Sequence, residues 1–561
     1  MTTANPLDPI RLEILANGLR SIADETYIAL MKSAYSTNIK ERRDHSTAIM
    51  DRDGRLIVQA DASLPIHIAS MTGLMTTLIE KFGDDLAEGD IFIANDPHVA
   101  GGTHLPDINM ATPVFVTGRL FGFVCNIAHH ADMGGMVPGS MAGGMSEIYQ
   151  EGLRIPVVRL FRAGELQRDI LDLVLLNVRV ADERRGDYYA QVAACRLGER
   201  RLSEIVAANG ADTVEAAFDE IVSRTAARMR AAVATIPDGA YAFEDVMDDD
   251  GLGTTDIPIR LRIDVAGERI RFDFSDSARQ VPGNINVTMN ATQAAVCYTL
   301  KALLDPGAPN NQGMLDMPEI VAPEGSLLNA VFPAPVAARA NTCQRIIDVI
   351  IGALAEALPE AAVAAANGAN TTAVISGTDP RTGRGYVYLE TLGGGAGGRA
   401  SKDGKDGVQV HITNTSNLPV EAIETEYPLR VEAYGLIEDS GGPGRYRGGM
   451  GLRRVIRPVG HVCDFNGAGE RFSHNPWGLF GGGEGAVGRF TRVDSAGTAT
   501  TLVNKPSGIR LGPDERIVVE SPGAGGYGAP RDRDPAAIRI DRRSGKFGDA
   551  YLNTHYGPAR G

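Results

Sequence analysis

Between Asn95 and Gly135 the chain gathers side chains able to hold a metal ion. The stretch reads Asn-Asp-Pro-His-Val-Ala-Gly-Gly-Thr-His-Leu-Pro-Asp over 95–107 and Ala-His-His-Ala-Asp-Met-Gly-Gly over 128–135. Four of the ten histidines (His98, His104, His129, His130) and three aspartates (Asp96, Asp107, Asp132) fall here, with Cys125 the one thiol in reach. Imidazole plus carboxylate is the donor set of a hard to borderline divalent cation. His104-x-x-Asp107 with His129 offers two nitrogens and one carboxylate, which leaves coordination positions open, as a catalytic ion requires. Pro97, Gly101, Gly102 and Pro106 favour a tight loop with close backbone approach. The same residues also make good turn formers and hydrogen-bonded loop polars. No stock motif such as His-Glu-x-x-His is present, so the pattern by itself leaves both readings open.

Other chemistry-bearing residues are more ambiguous still. Asp44, in Arg42-Arg43-Asp44-His45, is either a further oxygen ligand or part of a solvated charge cluster at a helix end. His67 sits among apolar neighbours in Leu-Pro-Ile-His-Ile and reads as a core histidine. In Ser146–Arg154, Glu151 is a candidate general base and Arg154 a candidate anion clamp, against a plain reading as surface helix charge. Thr391-Leu-Gly-Gly-Gly-Ala-Gly-Gly-Arg399 lacks the Gly-Lys-Ser/Thr of a phosphate loop and is followed by turn-like residues, so it is read as a flexible or close-packed loop. Asp439–Gly451 is likewise a turn sequence. Nothing resembles an ATP site, and no Ser-His-Asp or Cys-His arrangement stands out.

The elements that must position these residues follow from periodicity. Asp8-Pro9 marks a helix start, and Ile10, Ile14, Leu15, Leu19 and Ile22 predict a helix to about Ser33. Ser46–Met50 and Leu56–Gln59 read as a hairpin, Met71–Phe82 as a helix and Asp90–Asn95 as a short strand. Ile108–Val116 and Leu120–Ile127 form a hairpin around Thr117-Gly118. That hairpin brings Asp107 to within a residue or two of facing His129, and facing residues lie about 5 Å apart at Cβ. Helices are expected over 182–234, Asn290–Leu304 and Thr342–Ala366, with a hairpin at Ile257–Asp264 and Arg269–Ser275. Beyond Thr371, short strands (Val387–Thr391, Val408–Thr413, Leu429–Ile437, Gly488–Val493, Arg516–Glu520) alternate with glycine-rich turns. The charged tail after Gly528 is expected to embrace a partner or to be loosely ordered.

At 561 residues the length predicts several units. These are an N-terminal metal-site domain over 1–180, a central α/β domain over 181–370, a β-rich C-terminal domain over 371–530 and a tail over 531–561. The class is mixed α+β. A net charge of −15 and few basic runs argue against nucleic acid and anionic membrane as partners. The five scattered cysteines contain no Cys-x-x-Cys pair, which argues against a zinc ribbon and fits a reducing compartment. No apolar run approaches membrane-spanning length and the first residues lack a signal-peptide pattern, so a cytoplasmic protein is expected.

Several long motifs carry a resemblance. Asn-Asp-Pro-x5-Thr-His-Leu-Pro-Asp (95–107), His-His-Ala-Asp-Met-Gly-Gly (129–135), Glu-Ile-Tyr-Gln-Glu-Gly-Leu-Arg-Ile-Pro (147–156) and His411-x-x-Asn-Thr-x-Asn-x-Pro-x-Glu421 resemble the hydantoinase B/oxoprolinase family. Asp439-Ser-Gly-Gly and Gly-Gly-Tyr-Gly (525–528) extend the likeness over almost the whole chain. The resemblance implies a B-type subunit of an ATP-dependent hydrolase of cyclic amides, namely hydantoins, 5-oxoproline or lactams. The alternatives are a subunit of a ketone carboxylase of the acetone or acetophenone type, or a non-catalytic scaffold. It further implies an A-type partner that binds ATP and activates the substrate, possible use of bicarbonate, and a hetero-oligomer of A-type and B-type subunits. The B-type protein would carry manganese or zinc. Transferred position by position, the ligands become Asp44, His104, Asp107 and His129, and His130, Asp132 or Glu151 would shuttle the proton.

Overall fold

The computed structural model describes residues 7–557. Helix α1 (Pro9–Ser33) begins where expected: the Asp8 carboxylate accepts from the Ile10 amide at 3.4 Å, with Pro9 at the first helical position. Its buried stripe is Leu12, Leu15, Leu19, Ile22, Ala23, Tyr27 and Leu30. Ile10 and Ile14, counted in the predicted stripe, are 71% and 65% exposed. At about 100° per residue both fall on the side of the helix opposite Leu19.

Strands β1 (His45–Asp51), β2 (Leu56–Gln59), β3 (Ile91–Ala94), β4 (Asp107–Val116), β5 (Arg119–His129), β6 (Val158–Arg162) and β7 (Glu165–Leu166) build one sheet. Their order is β2-β1-β5-β4-β3-β6-β7, antiparallel throughout. The period-2 alternation divides its core residues between two faces. Ile49, Val114 and Val124 pack with α1, whereas Ala48, Met50, Phe123 and Cys125 pack into the large central core. Helix α2 (Ile68–Phe82) lies on the second face, and α3 (Ala181–Asn209) packs on α1, β4 and β5 on the first. Helix α4 (Ala211–Val233) continues this layer.

A second sheet, β8 (Gly239–Asp249), β9 (Thr255–Ala266), β10 (Arg269–Asp273) and β11 (Glu319–Val321), shares the large core with α5 (Met289–Leu304) and α6 (Arg339–Leu354). The sequence predicts the β9–β10 hairpin but not β8, whose exposed alternating half offers little apolar signal. Helix α6 ends at Leu354, not at Ala366 as expected. Pro359 cannot continue a helix, and the alanine run beyond it is extended, Ala364 donating to Gly398 at 3.0 Å.

The C-terminal part holds two further antiparallel sheets of four and five strands. Four of the five predicted strands are present there; Val408–Thr413 is not a strand, forming only an isolated bridge from Val408 to Gly394. The tail folds back as α7 (Pro535–Ser544) and α8 (Asp549–Tyr556). Phe547 and Leu552 bury against Met450, and Arg533 pairs with Asp403 at 2.7 Å and Asp541 at 2.6 Å. Helices mixed with mainly antiparallel sheets, β10–β11 being a parallel pair, make the class α+β.

Candidate metal centre

Three neighbouring strand ends meet at one edge of the first sheet. Asp107 opens β4, His129 closes β5, and the two face each other directly across the hairpin. Asp44 immediately precedes β1, and its carbonyl accepts from the His129 amide at 3.0 Å. Because neighbouring strands are about 4.8 Å apart, this row delivers two carboxylates and an imidazole side by side. His104 arrives from the preceding loop, which Asn95 clasps: its side-chain amide donates to Leu105 O at 2.8 Å and its carbonyl accepts from Ile155 N at 2.7 Å. Gly101 closes that loop with φ +71 where it presses on Gly73 of α2, so closely that a Cβ would lie 2.1 Å from the Gly73 backbone.

His104, Asp107 and His129 each offer a ligand atom, all within 4.8 Å of one another. His104 Nε2 and Asp107 Oδ1 approach to 3.1 Å, yet neither has a hydrogen-bond partner among the described residues. Both are shut from solvent. Two buried acceptors facing each other without a donor leave a deficit that a cation removes, so the donor set fits a divalent ion.

The surroundings fix these atoms. His104 Nδ1 lies 3.0 Å from Ala337 O. In the tautomer that donates from Nδ1 to this carbonyl, the Nε2 lone pair faces the centre. Arg339 Nη1 is also within hydrogen-bond distance of that nitrogen at 3.1 Å, and the same guanidinium donates from Nε to Thr103 Oγ1 at 3.0 Å and from Nη2 to Asp107 Oδ2 at 2.5 Å. Burial alone would raise the Asp107 carboxyl, but the charge around it, with the Arg339 guanidinium in direct contact, holds it well below the usual carboxylate range. Burial pushes His104 and His129 down, keeping both imidazoles neutral, the form that coordinates.

Asp44 lies outside the compact triad. Its Oδ2 is 3.7 Å from the Arg42 guanidinium and its Oδ1 3.8 Å from His67 Nε2, while burial raises its carboxyl. His67 Nε2 is equally 3.8 Å from Asp107 Oδ1, and its Nδ1 is 2.8 Å from Ser46 Oγ. His67 is therefore buried as the pattern predicts, but it bridges the two carboxylates. Its polar face was hidden in the sequence by apolar flanks. Arg339, at the start of α6 and far away in sequence, carried no signal at all.

The sequence profile of hydantoinase B/oxoprolinase matches residues 8–530. The chain belongs to this family. A protein of Pseudomonas sp. strain NS671, described as the putative B-type subunit of a D-/L-hydantoinase, is 32% identical over 97% of this chain and 94% of its own length. The beta subunit of the Pseudomonas jessenii caprolactamase is 32% identical, covering 96% and 94% of the two chains. The crystal structure of the ATP-dependent caprolactamase from that organism superposes with a TM-score of 0.93 at 29% identity, over 99% of this chain and 96% of that one. An acetone carboxylase structure shares the fold, with a TM-score of 0.89 at 20% identity over 98% of this chain and 80% of that one.

In this hydantoinase B/oxoprolinase chain the remaining candidates lie outside the compact triad and have hydrogen-bond partners of their own. His130 donates its amide to Pro106 O at 2.8 Å, stacks on Tyr188 and turns Nε2 to Gln191 Oε1 at 3.0 Å. Asp132 accepts from the amides of Gly134, Gly139 and Arg179 and from the Arg179 guanidinium. Glu151 is fully buried, not surface helix charge: Oε1 accepts from the Val336 and Ala337 amides, both at 2.7 Å. It thereby fixes the segment whose carbonyl holds His104, and burial pushes its carboxyl up to about 8. His98 turns Nε2 to Ala334 O at 3.0 Å, and Arg154 pairs with Asp96. The Gly393–Gly398 run is close-packed: a Cβ on Gly397 would lie 1.8 Å from Ala364 O.

Proposed function

We propose that this chain is the metal-holding B-type subunit of an ATP-dependent cyclic-amide hydrolase, opening a hydantoin, 5-oxoproline or lactam ring. An A-type subunit would bind ATP and activate the substrate, consistent with a chain whose glycine-rich loop is filled by its own backbone. The reading is carried by the two buried, unpartnered acceptors His104 Nε2 and Asp107 Oδ1, with His129 beside them. Asp44, His104, Asp107 and His129 would hold Mn2+ or Zn2+, which when bound supplies Lewis acidity to a carbonyl and acidity to a water.

The protein's own groups do the rest. Arg339 orients Asp107, and the Ala337 carbonyl fixes the His104 tautomer. His67, between the Asp44 and Asp107 carboxylates, is the buried base best situated to take and return a proton. His130, Asp132 and Glu151 act as positioning residues, their polar contacts directed elsewhere. A cyclic amide is a poor electrophile and its opened ring recombines readily, so ATP coupling supplies the driving force.

The test combines the chain with its A-type partner, ATP and a panel of hydantoins, 5-oxoproline and lactams. His104→Ala is expected to lose both stoichiometric metal and turnover; full activity in that variant removes the centre from the mechanism. Label appearing in product from bicarbonate would assign ketone carboxylation instead, and absence of metal from the active wild-type complex would leave a scaffold.

A further inference from the structure

Two sequence features not used by the metal centre, the glycine-rich loop ending at Arg399 and the His411–Asn417 segment, meet in space. With the Tyr298–Leu303 face of α5 they line a cleft of about 700 Å³. Its polar wall comprises Arg399, Lys405, Gln409, His411, Asn414 and Asn417, and no carboxylate lines it, although the chain carries a net charge of −15. The acidic neighbours in the same loop are turned away, Asp403 to Arg533 at 2.7 Å and Asp406 to Arg447 at 2.9 Å and Lys546 at 2.7 Å. Arg399 Nε is buried without a hydrogen-bond partner among the described residues, whereas His411 Nε2 faces the Asp348 carboxylate. His411 adopts φ +52, a conformation rare for a non-glycine residue. Its ring lies 3.4 Å from Asp348, itself 3.1 Å from Arg471.

The floor of the cleft adjoins the metal centre. Ser416 donates its amide to Arg42 O at 2.9 Å, and Ile412 O accepts from Ile66 N at 3.2 Å. Arg42 contacts Asp44, and Ile66 precedes His67. Two backbone hydrogen bonds therefore tie the segment that lines the cleft to the neighbours of Asp44 and His67.

We propose that this cleft is an oxyanion-binding antechamber of the metal centre, taking a small phosphate-bearing molecule on Arg399 and Lys405. The side-chain amide of Asn414 supplies a neutral donor around the same oxygens, Gln409 Nε2 being held by Thr391 O at 2.8 Å, and charge-assisted bonds from the two cations supply most of the affinity. The volume exceeds that of phosphate and leaves room for an attached organic group. Oxyanion binding rests on the cleft alone; its link to ring opening rests on the function proposed above.

Calorimetric titration of the full metal-loaded chain with inorganic phosphate, and separately with acetyl phosphate, tests this. Wild type binds at least one of them. Arg399→Gln weakens the binding by about tenfold or more, Lys405→Gln by less, and Arg399→Lys retains most of it, with metal per chain unchanged in all three. Tighter acetyl phosphate identifies a phosphorylated organic molecule as occupant, and equal affinity identifies phosphate itself; both support the site. His104→Ala, which breaks the metal centre, keeps its phosphate affinity. The proposal is overturned if wild type binds neither probe, if Lys405→Gln and Arg399→Gln bind like wild type, or if binding disappears in His104→Ala while surviving in Arg399→Gln. Should Arg399→Gln fail to fold, Lys405→Gln and Arg399→Lys decide the matter by the same titration.

Discussion

Two of the buried clusters of ionisable groups in this molecule differ in what they leave over. In the network joining β8 and α6 to the C-terminal part, Asp245 contacts Arg471 at 2.6 Å and Arg345 at 3.2 Å, Asp348 contacts Arg471 at 3.1 Å, and Glu470 contacts Lys505 at 2.8 Å. Each of these charges has its opposite in direct contact. The atoms left unpartnered on Arg345 and Arg471 are N–H donors. At the strand-end centre the leftovers His104 Nε2 and Asp107 Oδ1 are lone pairs aimed at each other. Surplus donors on a paired guanidinium demand nothing positive; facing lone pairs do. The sign of what remains unpaired, more than the density of charge, separates a clamp from a site.

Four variants break or sharpen that contrast. His104→Ala has the largest expected effect: metal binding and turnover vanish, read by elemental analysis and by assay with the A-type partner. Arg471→Ala does the reverse. Leaving Asp348 buried without its cation, and Asp245 with Arg345 alone, costs about 3–5 kcal/mol of stability, read by denaturant unfolding, while the folded protein keeps its metal content. Equal metal loss in both variants would erase the distinction. Arg339→Gln lies between them: it removes the group that orients Asp107 and is expected to weaken metal affinity about 10–100-fold, measured by competition with a chelating dye.

The smallest effect is a pH slope. Glu151 is raised by burial to about 8 from an ordinary 4.5. The folded state therefore retains a proton that the unfolded state releases, and the stability this gives is complete below pH 4.5 and lost as pH rises towards 8. Within that window the contribution falls by about 1.4 kcal/mol per pH unit. Glu151→Gln is expected to flatten the slope in unfolding experiments at pH 5.5–7.5, and an unchanged slope would refute the buried-acid account.

How much of this was legible in the sequence depended on distance along the chain. The Asp107–His129 pairing was readable to within a residue or two from the tight turn at Thr117-Gly118, but not the exact register, which a bulge between Val114 and Phe115 shifts. The α1 start was readable from Asp8-Pro9, but not which isoleucines it buries, since Ile10 and Ile14 fit a helical period as well as Leu12 does. Pro359 marks a stop that the alanine-rich run around it obscured. Arg339 and the polar face of His67 acquire meaning only when α6 and the Pro65–His67 turn pack against the sheet edge. The Asp44 assignment came through the resemblance; the strand order then brings that residue beside His129, because β1 pairs with β5.

The complete enclosure of His104 and Asp107 bears on supply as well as on chemistry. A pocket sealed from solvent exchanges its contents at the pace at which the surrounding structure opens, whatever the equilibrium preference of its donors. The ion on hand while the chain is folding would then be the one it keeps. Identity at such a centre would be set by the cell's stock of metals at synthesis, and overexpressed protein would carry the record of its growth medium.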